Sequence, residues 1–185
     1  RSEFPGIELH VIGGSSSDLA NDLLHGTIDL MIDLLPFTAE NVDTVPICQE
    51  EILLVVPDEV LKKAHPDGGD ELRKKMEQGA DVRLHENCPF VLLNKGNRVR
   101  TIADEIFEDA QVTPHIVLET ENIETALALS VKGMGITFYP RMFMSPDHAA
   151  NTTKNPLTHQ TGLNLYPLNY SRAHGTLGLG YHKGH

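Results

Sequence analysis

The chain has 185 residues, of which 40% are hydrophobic and 22% are charged, and its formal net charge is −11. A chain of this size can form one domain, or two small lobes, with a substantial hydrophobic core. The acidic balance argues against direct binding of nucleic acid by this segment, and no apolar run approaches the roughly 18 residues that a membrane-spanning helix needs.

The first third of the sequence predicts a strand, a helix and a second strand in close succession. Residues 7–12 alternate apolar and polar side chains and lead into a turn rich in glycine and serine. Ser17 or Asp18 is the predicted cap of a helix that ends at Gly26, and residues 28–35 form a predicted buried strand. Such a succession predicts a βαβ unit with a parallel pair of strands.

Strands and helices continue to alternate along the rest of the chain. Residues 45–48 and 52–56 are predicted strands, and residues 58–79 predict two short helices with a break at residues 65–69. The later predicted elements are strands at 90–93, 116–118, 136–139, 163–168 and 176–181, and helices capped by Thr101 and Asn122. This order predicts an α/β fold with a mostly parallel sheet, in which the last two strands pair with each other.

Three strand–helix junctions carry the polar side chains from which a binding site could be built. They lie at residues 13–17, 94–101 and 119–122. In open α/β sheets ligands bind at the carboxyl ends of strands, so we expect ligand chemistry at these junctions. The middle junction is rich in amide and basic side chains, namely Asn94, Lys95, Asn97, Arg98 and Arg100. That set suits a small carboxylate or a similar anion better than a cation.

The same side chains also have a purely structural interpretation. Serine, threonine and asparagine are the preferred helix caps, and the basic side chains could simply be solvated. We favour the cap role for Ser17, Thr101 and Asn122. We favour ligand contact for Ser15, Ser16 and Asn97.

Motifs of the common α/β enzymes are absent from the sequence. The GxGxxG dinucleotide fingerprint, the phosphate-binding GK[ST] loop and the GxSxG nucleophile elbow do not occur at the junctions where they would act. A small α/β enzyme would need a nucleophile–base pair or a metal set in its cleft, and no such set can be assembled. We therefore expect no catalytic residue, no cofactor and no metal, and a protein that is not an enzyme.

The cysteines and histidines indicate neither a disulfide framework nor a zinc site. Cys48 and Cys88 lie in apolar surroundings without a CxxC motif, so we expect two buried thiols in a reducing cytoplasm. His85 precedes Cys88 by three residues, but no second pair follows at zinc spacing. We expect a surface or capping role for this histidine. The first residues do not have the pattern of a signal peptide.

An ordered series of segments resembles the effector-binding regulatory domain of LysR-type transcriptional regulators. The segments that carry the resemblance are residues 4–9, 14–19, 24–32, 50–57, 119–126 and 131–140. They follow one another in the order of the family and at similar spacing. The resemblance covers most of the chain and is weakest over residues 58–84 and 145–161.

This resemblance implies an α/β fold of two Rossmann-like lobes joined by a two-strand hinge, like that of type 2 periplasmic binding proteins. Lobe one would comprise residues 1–56 and 141–185, and lobe two residues 57–140. A small effector would bind in the cleft between the lobes. The positions that line this cleft in the family correspond here to Ser15, Ser16, Asn94, Lys95, Gly96, Asn97, Thr120 and Phe138.

The resemblance also implies partners for the chain. In such regulators, closure of the lobes changes the geometry of a DNA-bound oligomer, here expected to be a homodimer or homotetramer without membrane contact. DNA would be contacted through an N-terminal winged helix-turn-helix domain, which we expect to be missing here. We also expect the first strand, the first helix and the last helix of the family domain to be missing. The alternative function is that of a solute-binding protein of a transport system, which shares the fold. An export signal would favour this alternative.

Overall fold

The computed structural model describes residue 4 and residues 6–37, 39–66, 69–144 and 163–183. Within these ranges the chain forms five α-helices and seven β-strands. The helices are α1 (Ser16–Leu24), α2 (Asp58–Ala64), α3 (Gly69–Met76), α4 (Arg98–Ala110) and α5 (Ile123–Val131). The strands are β1 (Met31–Leu34), β2 (Val42–Pro57), β3 (Pro89–Leu93), β4 (His115–Thr120), β5 (Thr137–Pro140), β6 (Leu163–Pro167) and β7 (His174–His182).

The long strand β2 links two regions of sheet. Its first part, residues 42–51, pairs antiparallel with β7, and β7 in turn pairs antiparallel with β1. Its second part, residues 52–57, pairs antiparallel with β5 and β6. A bulge between Pro46 and Cys48 interrupts the ladder with β7. The strands predicted at 45–48 and 52–56 are therefore one continuous strand, which passes from one region to the other.

The second region contains the larger hydrophobic core. Strands β3 and β4 pair in parallel, and a bridge between Phe90 and Ile136 connects β3 to the start of β5. Phe90 packs edge-on against Phe107 of α4, with ring centroids 5.0 Å apart, and stacks on Phe138 at 6.4 Å. Four apolar side chains that recur at helical spacing form the buried inner face of α4, namely Ile102, Ala103, Ile106 and Phe107. Each large apolar side chain buried in this way stabilises the fold by about 1.5–3 kcal/mol.

The βαβ unit predicted for the first third of the chain is wrong. Residues 7–12 form no strand, and their apolar side chains are exposed, with Leu9 at 78% and Val11 at 91%. Strand β1 exists but pairs antiparallel with β7, from the far end of the sequence. An alternating pattern predicts a strand on local grounds, whereas a strand also needs a neighbour that accepts its backbone hydrogen bonds.

The predictions of a mostly parallel sheet and of a pair formed by the last two strands are also wrong. Antiparallel ladders join β1, β2, β5, β6 and β7, and β6 and β7 each pair with β2 instead of with each other. The reason is the length of β2, which is 16 residues and gives each of them a separate stretch to pair with. Strand β6 therefore lies beside the core of residues 57–140, and the exact lobe boundaries stay a prediction.

Several local predictions are confirmed. Helices α2 and α3 occupy the region predicted as two short helices. Gly26 follows the last turn of α1 with φ of 71°, a backbone conformation that glycine adopts without steric cost. Cys88 is buried as expected, but the burial predicted for Cys48 is wrong, because Cys48 lies in the exposed first part of β2. In the part of the chain described above, no helix is both long and apolar enough to cross a membrane.

Candidate functional site

The three polar junctions predicted from the sequence line one cavity of about 1020 Å³. Its wall contains the starts of three helices, with Ser15 before α1, Asn97 before α4 and Asn122 before α5. The first N–H groups of a helix have no partner within it, and the N-terminus carries a partial positive charge of about half a unit. The cavity is therefore bounded by three positive helix ends from distant parts of the chain.

At the first of these helix ends, Ser15 is the cap. Its Oγ accepts a hydrogen bond from the Asp18 N–H at 3.2 Å and donates to the Asp18 carboxylate at 2.6 Å. The prediction that Ser17 or Asp18 caps this helix is wrong, because both lie in its first turn. Ser17 Oγ lies 3.0 Å from Ser15 Oγ, so the hydroxyl of Ser15 is already surrounded by partners from its own turn.

Asparagine caps the other two helices. Asn97 Oδ1 accepts the Val99 N–H at 2.9 Å and so begins α4. The predicted cap Thr101 is wrong, since it lies inside α4 and donates its hydroxyl to the Asn97 carbonyl at 3.2 Å. Asn122 caps α5, as predicted, by accepting N–H groups of the first turn at 2.8 and 3.1 Å. Asn97 and Asn122 thus have the structural role in addition to facing the cavity.

Ser16 connects the first helix end to the second. Its Oγ accepts the backbone N–H of Arg98 at 3.1 Å, across 82 positions of sequence. Because the oxygen is the acceptor in this bond, the hydroxyl proton can be donated to a further group, such as a ligand in the cavity. Among the serines of the turn, Ser16 is for this reason the best placed to contact a ligand.

Two of the basic side chains predicted for the site line the cavity, and one does not. Lys95 and Arg98 belong to its wall, and Nε of Arg98 is buried without a hydrogen-bond partner within the described residues. Arg100 is only 4% exposed and is directed into the protein. It is therefore wrong to count Arg100 among the donors that a ligand could use.

Arg100 instead holds together the ends of the two parallel strands. It donates to the carbonyl of Leu93 at the end of β3 at 2.7 Å, to the carboxylate of Asp104 at 2.8 Å, and to the carboxylate of Glu119 near the end of β4. The hydrogen bond from Arg100 holds the pKa of Glu119 below its usual value. The loops that follow β3 and β4 both enter the cavity wall, so Arg100 supports both from beneath.

Three of the residues predicted to contact a ligand do not line the cavity. Gly96 has φ of 93° and approaches the serine turn so closely that a Cβ there would lie 3.0 Å from Ser17 Oγ. Thr120 accepts the Asn122 N–H through its hydroxyl at 3.3 Å and shapes the turn before α5. Phe138 is 2% exposed within the aromatic core, which takes it out of reach of the cavity. The remaining predicted contacts, Ser15, Ser16, Asn94, Lys95 and Asn97, do line it.

A further part of the cavity wall was not predicted from the sequence. It contains the apolar side chains of Ile32, Leu34, Pro140, Met142, Phe143 and Leu177 together with the carboxylate of Asp33. It also contains Glu50, a carboxylate with 5% exposure on β2. The one signal in the sequence is that this glutamate lies two residues before the apolar stretch 52–56, separated from it only by Glu51.

The pair His85 and Cys88 lies outside the cavity wall. His85 is 1% exposed, its Nε2 lies 3.1 Å from Sδ of Met76, and its Nδ1 lies 4.0 Å from Sγ of Cys88. Burial lowers the pKa of His85 to about 4, which keeps the ring neutral. The predicted surface or capping role is wrong, because the ring fills a gap in the core. The ranges that the structure describes contain no group of three or more metal-binding side chains.

Comparison with known proteins agrees with this architecture. The family model described as the LysR substrate binding domain matches residues 1–166. The chain therefore belongs to the LysR substrate-binding domain family. This membership confirms the α/β fold of type 2 periplasmic-binding-protein character that the resemblance implied.

One relative and two solved structures illustrate the similarity. The chain is 25% identical over 147 residues to the uncharacterized HTH-type transcriptional regulator YcgK of Bacillus subtilis (strain 168), an alignment that covers 76% of the chain and 45% of YcgK. The chain thus spans less than half of that relative. It shares the fold of the regulatory domain of Synechocystis PCC6803 CcmR in complex with 2-PG, with TM-score 0.74 and 15% identity over 100% of this chain and 78% of that one. The effector binding domain of QuiR in complex with shikimate is also similar in fold, with TM-score 0.68 and 17% identity. That match covers 94% of this chain and 70% of the QuiR chain.

Proposed function

We propose that this chain senses a small organic anion, bound in the cavity described above, as the effector-binding domain of a bacterial LysR-type transcription regulator. The observation that carries the proposal is the convergence of three helix N-termini, Lys95 and Arg98 on one cavity. The chain as a whole is strongly acidic. A local cluster of donors in such a chain points to an anionic ligand.

The donors available to the ligand are of several kinds. Each helix N-terminus favours an anion by about 0.3–1 kcal/mol at an exposed site and by up to about 2 kcal/mol when partly buried. The hydroxyl of Ser16, the amide of Asn94 and the ammonium of Lys95 add hydrogen bonds, which are stronger when one partner is charged. The guanidinium of Arg98, whose side chain lines the cavity, adds a second charged donor.

Binding at this position would couple the ligand to the relative arrangement of the two parts of the chain. An anion that contacts the starts of α1 and α4 together would add to the single Ser16–Arg98 hydrogen bond between them. The anion would bind more tightly when these two helix starts are close together than when they are apart. It would therefore favour the closed arrangement of the two parts. In the whole regulator, this closure would alter the geometry of a homodimer or homotetramer on DNA, which would be contacted through a separate winged helix-turn-helix domain in the cytoplasm.

The ligand is bound and not converted in this proposal. A transport solute-binding protein would use the same fold, but family membership and a relative of the HTH type favour the regulator. The shikimate of the QuiR complex is a small carboxylic acid, which supports the chemical class of the effector. We do not extend the identity of that ligand to this chain.

Titration calorimetry with a panel of small acids tests the proposal. Shikimate, 4-hydroxybenzoate, citrate and inorganic phosphate are compared with the methyl ester of shikimate, which has the same shape without the charge. We expect at least one acid to bind and the ester to bind at least about tenfold more weakly. Replacing Lys95 and Arg98 by glutamine should weaken the binding of the acid that has the highest affinity for wild type. Equal affinity for the acid and the ester, or for wild type and variant, contradicts the proposal.

A further inference from the structure

We infer that Glu50 determines the specificity of this site, by accepting a hydrogen bond from a hydroxyl or amino group on the ligand. This inference rests on the proposed function and narrows the effector to an acid that also carries a hydrogen-bond donor. The acid group would lie at the helix N-termini, and the donor would face Glu50 in the wall of the same cavity.

The first argument is the burial of the carboxylate. Glu50 is 5% exposed and lines the cavity. It is followed along β2 by a buried apolar run at residues 52–56. A carboxylate in such surroundings has lost most of its hydration, and each acceptor position that stays unpaired there is unfavourable.

The second argument is the set of partners that Glu50 has. Its carboxylate accepts the N–H of Glu51 at 2.7 Å and the N–H of Met142 at 3.1 and 3.2 Å. Both donors are neutral, and no basic side chain among the described residues pairs with Glu50. Arg141, the nearest arginine in sequence to these donors, pairs with Glu51 instead at 2.6 Å. A carboxylate has about four acceptor positions, so capacity remains on a charge without a counter-ion.

The third argument is the apolar character of the wall around Glu50. Leu34, Met142 and Leu177 line the same side of the cavity. A hydrogen bond is stronger in such an environment than in water, and a missing one is correspondingly more costly. A site built around a buried acceptor therefore discriminates strongly against an analogue that lacks the donor. A second carboxylate at this position would be repelled.

The test compares matched acids that differ in the donor alone. Benzoate is compared with 3- and 4-hydroxybenzoate and with 4-(aminomethyl)benzoate, and cyclohexanecarboxylate with shikimate, by calorimetry. In wild type we expect at least one donor-bearing acid to bind about tenfold or more tightly than its parent, and terephthalate to bind more weakly than benzoate. In Glu50→Leu the ratio of the affinities for the donor-bearing acid and its parent should fall to near one. The parent acids should bind this variant as well as they bind wild type, or better.

A second variant makes the result independent of any folding defect in Glu50→Leu. Glu50→Gln keeps the shape and an acceptor oxygen but removes the charge. It should lose more of the preference for the aminomethyl acid than for the hydroxy acids, because the ammonium group gains most from a charged acceptor. Glu71→Gln, on the exposed face of α3, is the control and should keep every affinity ratio of wild type.

The outcomes separate this inference from the proposed function. If parent and donor-bearing acids bind wild type equally, or if both Glu50 variants keep the wild-type preference, the inference is wrong and the anion site stands. If neutral esters bind as well as acids, the proposed function is wrong as well. If no acid of the panel binds wild type, both are contradicted.

Discussion

The hydroxyl oxygen of Ser16 accepts a 3.1 Å hydrogen bond from the backbone N–H of Arg98, and this bond joins the starts of α1 and α4. It lies in the wall of the cavity and links two parts of the chain that are far apart in sequence. The contact makes Ser16 the most direct probe of how the two halves of the site cooperate.

Ser16→Ala should weaken the binding of an acidic ligand more than it destabilises the fold. The variant loses the bond to Arg98 and the hydroxyl donor to the ligand, and each hydrogen bond is worth about 1 kcal/mol, or about fivefold in affinity. Calorimetry with the best-binding acid, together with urea unfolding, measures both effects. Thr101→Ala is the control, because Thr101 is not among the residues that line the cavity and its hydroxyl donates to a backbone carbonyl at the start of α4. A Ser16→Ala protein with wild-type affinity contradicts this role.

The double variant Ser15→Ala/Ser16→Ala should also lose helix stability. Ser15 caps α1, and removal of a serine cap costs about 0.5–2 kcal/mol. We therefore expect the double variant to be less stable than Ser16→Ala by about 1 kcal/mol in urea unfolding. Equal stability of the two proteins would show that the cap contributes little.

Asn97→Asp should separate the capping role of Asn97 from its position in the site. Aspartate caps a helix about as well as asparagine, so the free energy of unfolding should change by less than about 0.5 kcal/mol. The added negative charge lies beside the proposed anion position and should reduce the affinity for an acid by about tenfold or more. Asn97→Ala is the complementary variant and should destabilise the protein by about 1 kcal/mol. Undiminished acid binding by Asn97→Asp would place the anion elsewhere.

Arg100→Met should be strongly destabilising. The variant removes a buried guanidinium that bonds to the Leu93 carbonyl and to two half-exposed carboxylates, and the loss of a hydrogen bond between a buried charged group and a carbonyl costs about 1.5–3 kcal/mol. Arg172→Met is matched in chemistry, since Arg172 pairs with Glu105 and Asp109 on the surface. Exposed ion pairs are screened by water and contribute little to stability, so this control should unfold near the wild-type denaturant midpoint. Similar midpoints for both variants would contradict the supporting role of Arg100.

His85 should make the protein less stable as the pH falls below neutrality. The ring is buried near His65 and Asp81, and burial lowers its pKa from 6.5 to about 4. His85 therefore binds a proton in the unfolded chain at pH values at which it stays neutral in the folded protein. The stability of the folded protein falls as the pH drops from about 6.5 towards 4. The slope from this group approaches about 1.4 kcal/mol per pH unit within that window.

Urea unfolding at several pH values between about 7 and 5 measures this slope. His85→Leu should show a shallower dependence on pH than wild type, because it has no ring to protonate. His115→Gln removes an exposed histidine of β4 and serves as the control for the loss of a histidine as such. Parallel stability profiles for wild type and His85→Leu would contradict the assignment.

Elements governed by local chemistry were predictable from the sequence. The inner face of α4 and the Asn122 cap follow from apolar periodicity and from the capping preference of asparagine, both of which act within one or two turns. The caps at Ser15 and Asn97 were each missed in favour of a neighbour. Several adjacent residues there could have served, and the choice depends on where the first helical hydrogen bond forms.

The partners of each strand were not predictable in the same way. β1 and residues 7–12 satisfy a local strand pattern equally well, yet only β1 finds a partner, namely β7. Pairing depends on which backbone groups meet after the chain has folded. The burial of Arg100 and the position of Glu50 in the cavity wall were not predictable for the same reason. Each depends on contacts with residues that are distant in sequence.

The sequence by itself determined that polar, hydroxyl-rich and amide-rich junctions precede three helices, because capping and periodicity are encoded over a few residues. The tertiary structure decided that these junctions enclose one cavity, that Arg100 supports its wall and that Glu50 lines the same cavity as the donors. The place of Glu50 depends on the antiparallel pairing of β2 with β7, and the place of Arg100 depends on the parallel pairing of β3 with β4. Long-range pairing of this kind is set by the packing of the whole core, and no local segment specifies it.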